Sequence, residues 1–197
     1  MNLNRKMENI ILENFGYIKY KISKQQHKSL LKECLNKKGK EQFKSGLTNS
    51  GLPKTVKHYY VSDNLNTIYE IVDQMIQEYV RTYPNYLSSI KVLNKNAPME
   101  YQKPWINYQK KGDHLPIHTH DGILSYNIWI KIPVESVFEF NYTSAIGSHL
   151  TNRIYLDKKN EGDAIIFPSS LQHIVYPFEK SNDTRLSIAG NILLKGA

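Results

Sequence analysis

The chain has almost no cysteine. Cys34 stands alone among 197 residues, which excludes an internal disulfide and suits a reducing compartment. No apolar run approaches the roughly 20 residues of a membrane span. The opening stretch MNLNRKMENIILENFG is broken by Glu8 and Glu13 and has no small-residue cleavage site, so it does not read as a signal peptide. These absences together point to a cytoplasmic protein, of a cell or of an infected host, with no membrane partner. Nothing repeats, and no recognised nucleic-acid-binding motif occurs. From residue 98 onward no helical period can be found.

The length suits one domain over 1–197, long enough to bury roughly 70% of the unfolded surface. Charge is unevenly placed. Residues 1–97 hold 16 Lys+Arg against 8 Asp+Glu, whereas residues 98–197 hold 10 of each, so the whole excess of +8 lies in the first half. A solvated face accounts for such a surplus, and so does an anionic partner such as nucleic acid.

The first half reads as helical and basic. Ile10 to Ile22 suggests a short hairpin or two strand pieces around Asn14-Phe15-Gly16. Ser23 followed by Gln26 is a capping-box pattern that opens a helix with Leu30, Leu31, Cys34 and Leu35 on one face, ending at Lys37-Lys38-Gly39. Residues 44–58 read as a surface loop, and Tyr59-Tyr60-Val61 as a strand. Asp63 or Asn64 then caps the strongest helix, in which Leu65, Ile68, Val72, Met75, Ile76, Tyr79 and Tyr83 form one apolar stripe before Pro84.

The second half is a series of short alternating runs: 99–102, 104–110, 116–120, 124–132, 137–142, 151–156, 162–167, 171–177 and 185–194. Many short strands at even spacing predict a sandwich, jelly roll or barrel. The expected fold class is therefore α+β, mainly β, with N-terminal helices packed on the sheet.

Two stretches carry chemistry. In Trp105 to Pro133, His118 and His120 lie two apart on a strand and point to the same face. In Glu161 to Asn191, His173 follows an apolar strand, and Arg185, Ser187 and Ala189 share a face twelve positions later. Three imidazoles suit Fe, Zn, Cu or Ni, so ligand type alone leaves the metal open. Asp121 is an alternative third ligand if the Asp121-Gly122 turn swings it inward. Arg185 with Ser187 reads as a carboxylate clamp, since a guanidinium forks two hydrogen bonds onto a carboxylate and a hydroxyl adds another. Tyr108, one strand before the histidine pair, is a candidate pocket residue. His114 and His149 read as solvated, and His27 and His58 have no partner visible in sequence.

H-x-H on an early strand, a distal His on a late one, and then R-x-S resembles the Fe(II)/2-oxoglutarate-dependent oxygenases. More narrowly, PWINYQKKGDHLPIHTHDGILSYNIWIKIP and EGDAIIFPSSLQHIVYPF…RLSIAGN are similar to the 2OG-Fe(II) oxygenases common in tailed-phage and marine bacterial genomes. The resemblance covers roughly residues 98–194. It implies a double-stranded β-helix (jelly roll, cupin-like) core over 98–197, following a basic helical part over 1–97. It also implies Fe(II) on His118, His120 and His173, 2-oxoglutarate on Arg185 and Ser187 with Tyr108 nearby, molecular oxygen as co-substrate, and hydroxylation as the default outcome. The sequence departs from the superfamily pattern by placing His120 where a carboxylate is usual. A cupin-like metal-binding or structural module without oxygenase activity is the alternative.

Overall fold

A computed structural model describes residues 14–36, 40–43, 56–91 and 97–195. In chain order these give β1 (Ile18–Lys21), α1 (Lys24–Leu35), β2 (Lys57–Tyr60), α2 (Leu65–Thr82), α3 (Tyr86–Ser89), β3 (Met99–Tyr101), β4 (Trp105–Gln109), β5 (Leu115–His118), β6 (Leu124–Lys131), β7 (Ser136–Thr143), β8 (His149–Leu156), β9 (Asp163–Pro168), β10 (Gln172–Val175) and β11 (Arg185–Leu194). Each of the nine strand runs expected after residue 98 is a strand.

The strands form two sheets. The larger runs β1-β9-β6-β11-β4-β2, with β3 also paired to β11, and the smaller runs β5-β10-β7-β8. Side-chain parity divides the larger sheet cleanly. Ile106, Tyr108, Tyr126, Ile128, Ile166, Leu186 and Ile188 form one core with the α2 stripe Ile68, Ile71, Val72, Met75 and Tyr79. The alternate residues face the smaller sheet, where Trp129, Ile165 and Phe167 meet Phe138, Phe140 and Leu156. Both faces of the larger sheet are thus covered, which is why β4, β9 and most of β11 are buried along their length.

Helix α1 begins where its capping box predicts: Ser23 Oγ accepts from the Gln26 amide, and the Gln26 side chain accepts from the Ser23 amide. Leu35 is 60% exposed and does not share the buried face of Leu30 and Cys34. The buried Glu33 carboxylate on α1 accepts from Lys40, the Ser62 amide and Asn64 Nδ2, which ties α1 to the approach of α2. Burial alone would raise the Glu33 pKa, but these partners hold it below the ordinary value. Helix α2 is capped at Asn64, although the Asn64 side chain makes no capping hydrogen bond.

Of the hairpin or two strand pieces expected over Ile10 to Ile22, the second piece is β1. Residues 10–13 lie outside the described residues, and β1 pairs with β9, Ile18 opposite Ile166. The strand expected at Tyr59-Tyr60-Val61 starts two residues earlier and pairs with β4. His149 opens β8 rather than lying in a turn. The helix end expected at Lys37-Lys38-Gly39 and most of the 44–58 loop also lie outside the described residues.

Candidate active site

Three histidines meet between the sheets. His118 ends β5 directly opposite His173 of β10, so antiparallel pairing brings together residues 55 positions apart in sequence. His120 follows in the bend after β5. Possible ligand atoms of the three rings all lie within 4.8 Å of one another, and His120 Nε2 is 3.2 Å from His173 Nε2.

The backbone sets their tautomers. His118 Nδ1 is 2.7 Å from the Pro116 carbonyl and His173 Nδ1 is 3.0 Å from the Leu171 carbonyl. A carbonyl can only accept, so each Nδ1 carries the proton and each Nε2 presents its lone pair to the cluster. Phe138 stacks on His173 at 5.3 Å between centroids, with Phe167 edge-on at 5.0 Å. Burial among these rings lowers all three pKa values. His120 falls to about 3, chiefly by desolvation and then by His118, while His173 falls well below its ordinary value by desolvation and then by His118 and His120. Three neutral imidazoles whose possible ligand atoms lie within 4.8 Å of one another suit a divalent metal ion, and the donor set fits Fe(II) among others.

The bend holding His120 is built by glycine and by ties to distant strands. The His120 amide donates to the Ser169 carbonyl, the Ser169 amide to Ile123, and the Ile123 amide to Ile192. Ser125 Oγ donates to Asn191 Oδ1 at 2.8 Å and lies 2.8 Å from Ser169 Oγ. Gly122 sits at φ +93°, and a Cβ there would meet the Ile192 carbonyl oxygen at 2.4 Å. Asp121 is exposed in this bend and is not among the converging side chains.

Arg185 starts β11 opposite Gln109 and is 2% exposed. Its Nε donates to Gln109 Oε1 at 3.1 Å and one Nη to the Tyr176 carbonyl at 3.0 Å. The other Nη, and the Gln109 Nε2 beside it, are buried without a protein partner. Burial lowers the Arg185 pKa to about 10, with Asp113 opposing. The guanidinium therefore remains charged at neutral pH, with donors left over. Arg185 and Gln109 line a cavity of about 20 Å³ together with Ser187, Asn127 and Trp129. A second cavity of about 50 Å³, lined by the three histidines, shares Leu115, Asn127, Phe138 and Val175 with the first. Cation-ready imidazoles at one end and a buried cation with free donors at the other suit a small dianion that bridges the two.

Tyr108 takes no part. The alternation of β4 sends Trp105, Asn107 and Gln109 inward, and Tyr108 points to the helices, where its hydroxyl donates to the Cys34 carbonyl at 2.5 Å. The expectation erred by one position, which on a strand is one face. Gln109, Asn107 and Asn127 were missed. The first two were legible in the W-x-N-x-Q alternation once Arg185 and Ser187 were aligned beside them. His58 was set aside as unpartnered, yet its Nδ1 lies 2.7 Å from Asn107 Oδ1 and it lines the histidine cavity.

Residues 103–191 match the model of a family described as "Putative 2OG-Fe(II) oxygenase". Among solved structures the chain is similar to a Pseudomonas putida prolyl-4-hydroxylase, with a TM-score of 0.61 at 14% identity, covering 89% of this chain and 91% of that one. It is also similar to the viral collagen prolyl hydroxylase of Paramecium Bursaria Chlorella virus-1, seen as a 2OG complex, with a TM-score of 0.56 at 13% identity and coverage of 89% and 94%. A third is HygX from Streptomyces hygroscopicus with nickel, 2-oxoglutarate and hygromycin B bound, with a TM-score of 0.56 at 11% identity and coverage of 92% and 84%. No curated protein sequence matches the chain. At these identities the likeness shows the fold: a mainly β sandwich with few helices, of the kind found in 2OG oxygenases.

Proposed function

We propose that this protein is an Fe(II)- and 2-oxoglutarate-dependent oxygenase, with hydroxylation as its default reaction. The supporting observation is the pairing of two incomplete sites in adjoining cavities. Three histidines converge, two of them with Nε2 lone pairs turned to the cluster, and a buried arginine holds spare donors beside Ser187. On this reading His118, His120 and His173 would hold the iron as its three protein ligands. The bound metal and co-substrate together supply the oxidising chemistry. Arg185 and Gln109 orient the distal carboxylate, Ser187 adds a hydroxyl, and Phe138 and Trp129 keep water from the space between.

In the same reading the sandwich is a double-stranded β-helix forming one domain with its N-terminal helices. A groove of about 590 Å³ passes Gly122 and Ile123, beside His120, and Leu171 and Gln172, beside His173. In this reading a prime substrate approaches the histidine loop from this groove, which itself holds none of the three histidines. Part of the basic surplus is paired within the chain: Lys19 and Lys21 both pair with Asp163, and Lys40 is buried on Glu33. A ferrous centre and one buried thiol both suit the cytoplasm.

The test is to add Fe(II) and 2-oxoglutarate without oxygen, look for a metal-to-ligand charge-transfer band, then admit oxygen and assay succinate. A band followed by succinate supports the oxygenase. Iron binding with neither would favour the cupin-like module.

A further inference from the structure

We infer that His58 is the hydrogen-bond acceptor for the molecule carried on the metal at the three-histidine site, a bound water in the resting protein. The inference rests on the metal-site reading above.

The tautomer of His58 follows from its neighbours. Trp105 Nε1 can only donate, and it donates to Asn107 Oδ1 at 3.1 Å. Asn107 Nδ2 donates to Ser187 Oγ at 3.1 Å. Asn107 therefore turns its oxygen toward His58, and His58 Nδ1, at 2.7 Å from that oxygen, must carry the proton. His58 Nε2 is left with a lone pair. It is buried and has no protein partner, on a residue only 6% exposed.

His58 is one of the residues that line the histidine cavity. No donor of this wall lies within hydrogen-bond distance of its Nε2: His118 and His173 also present Nε2 lone pairs there, and His120 Nε2 faces the lone pair of His173 Nε2 at 3.2 Å. Trp105 Nε1 is committed to Asn107 Oδ1, and Asn107 turns its oxygen rather than its nitrogen toward His58. Burial holds His58 neutral by lowering its pKa, with the Asn107 contact opposing. The missing donor must therefore arrive with the occupant. A water polarised by a metal cation is a strong donor, whereas a carboxylate oxygen would meet a lone pair. His58 thus favours O–H or N–H groups at the metal position beside it and turns carboxylate oxygens toward the Arg185 side.

The test uses the full chain labelled with ¹⁵N-histidine and Zn(II) as a diamagnetic probe, read by long-range ¹H–¹⁵N NMR. On loading, the His118 and His173 Nε2 signals are expected to move to ligated positions. His58 is expected to keep its Nδ1 proton while its Nε2 signal moves to the value of a hydrogen-bonded, unligated nitrogen. A proton on His58 Nε2, ligation by it, or an unchanged signal while the others move would overturn the inference and leave the metal site standing. If none of the three cluster histidines moved, the metal-site reading would fall and the inference with it.

Two variants separate acceptance from packing. His58→Asn keeps a donor for Asn107 and loses the distal acceptor, whereas His58→Gln restores an acceptor near the Nε2 position. Water exchange at bound Mn(II), read from water-proton relaxation, is expected to quicken about tenfold in His58→Asn, the equivalent of one hydrogen bond of about 1.4 kcal/mol, and to return toward wild type in His58→Gln. Unchanged exchange in a folded His58→Asn variant would refute the role.

Discussion

Arg185→Lys separates geometry from charge at the proposed co-substrate site. Arg185 spends its Nε on Gln109 and one Nη on the Tyr176 carbonyl, and holds the other Nη in reserve. Lysine keeps the charge but brings one ammonium on a flexible stem, so it cannot satisfy Gln109 and Tyr176 while also meeting a carboxylate. Arg185→Ala goes further, because a dianion would then be desolvated without its counter-charge. Losing one partner of a buried charge pair costs on the order of 2–5 kcal/mol, so the apparent Kd for 2-oxoglutarate should rise about 30-fold or more in Arg185→Ala. Ser187→Ala removes one hydroxyl and should cost about 1 kcal/mol. The assay is anaerobic titration of the Fe(II) protein with 2-oxoglutarate, following the charge-transfer band. Iron affinity should hold in all three, since neither residue is among the converging imidazoles. Thermal melts of the metal-free variants identify any loss that is merely unfolding. Unaltered 2-oxoglutarate affinity in a folded Arg185→Ala protein would refute the assignment.

Other expectations follow from the same geometry. His118→Ala and His173→Ala should each abolish stoichiometric iron binding, measured by metal analysis after desalting, whereas Asp121→Ala should retain it. Gly122→Ala forces a Cβ against the Ile192 carbonyl at φ +93°; strain of about 1–3 kcal/mol should lower the melting temperature, and displacement of His120 should weaken metal binding. In the metal-free protein, His120 is depressed to about 3 from an ordinary value of 6.5. Its neutral form is favoured by the fold, so that stability is complete above about pH 6.5 and drains away as pH falls toward 3; His120→Asn should flatten the fall of melting temperature over that window. Lys40→Met should cost about 3–5 kcal/mol in denaturant unfolding, because it leaves Glu33 buried without its counter-charge.

Local chemistry was the part most legible in the sequence. Alternation puts Arg185 and Ser187 toward one side, whereas His120 lies past the end of β5 and reaches the cluster through the bend that follows. The capping box fixed the start of α1, and the spacing of Ile68, Val72, Met75 and Tyr79 marked α2. What stayed hidden depends on distant pairing. Ile18–Lys21 could not announce β9 as its partner, since β-register is a property of two segments. Tyr108 was misplaced because β4 is buried on both faces and its composition does not say which face is the pocket. His58 is 49 positions from Asn107, and its meaning appears only once β2 lies beside β4. Lys40 read as part of a solvated basic surplus, but its ammonium is buried on Glu33.

The most direct measurement of the central claim is an anaerobic crystal structure of the protein with Mn(II) and 2-oxoglutarate. The account predicts one metal on the Nε2 atoms of His118, His120 and His173, chelated by the 2-oxo acid, with the distal carboxylate on the free Nη of Arg185 and on Ser187. A metal closed off by four protein ligands, or 2-oxoglutarate bound away from Arg185, would contradict it.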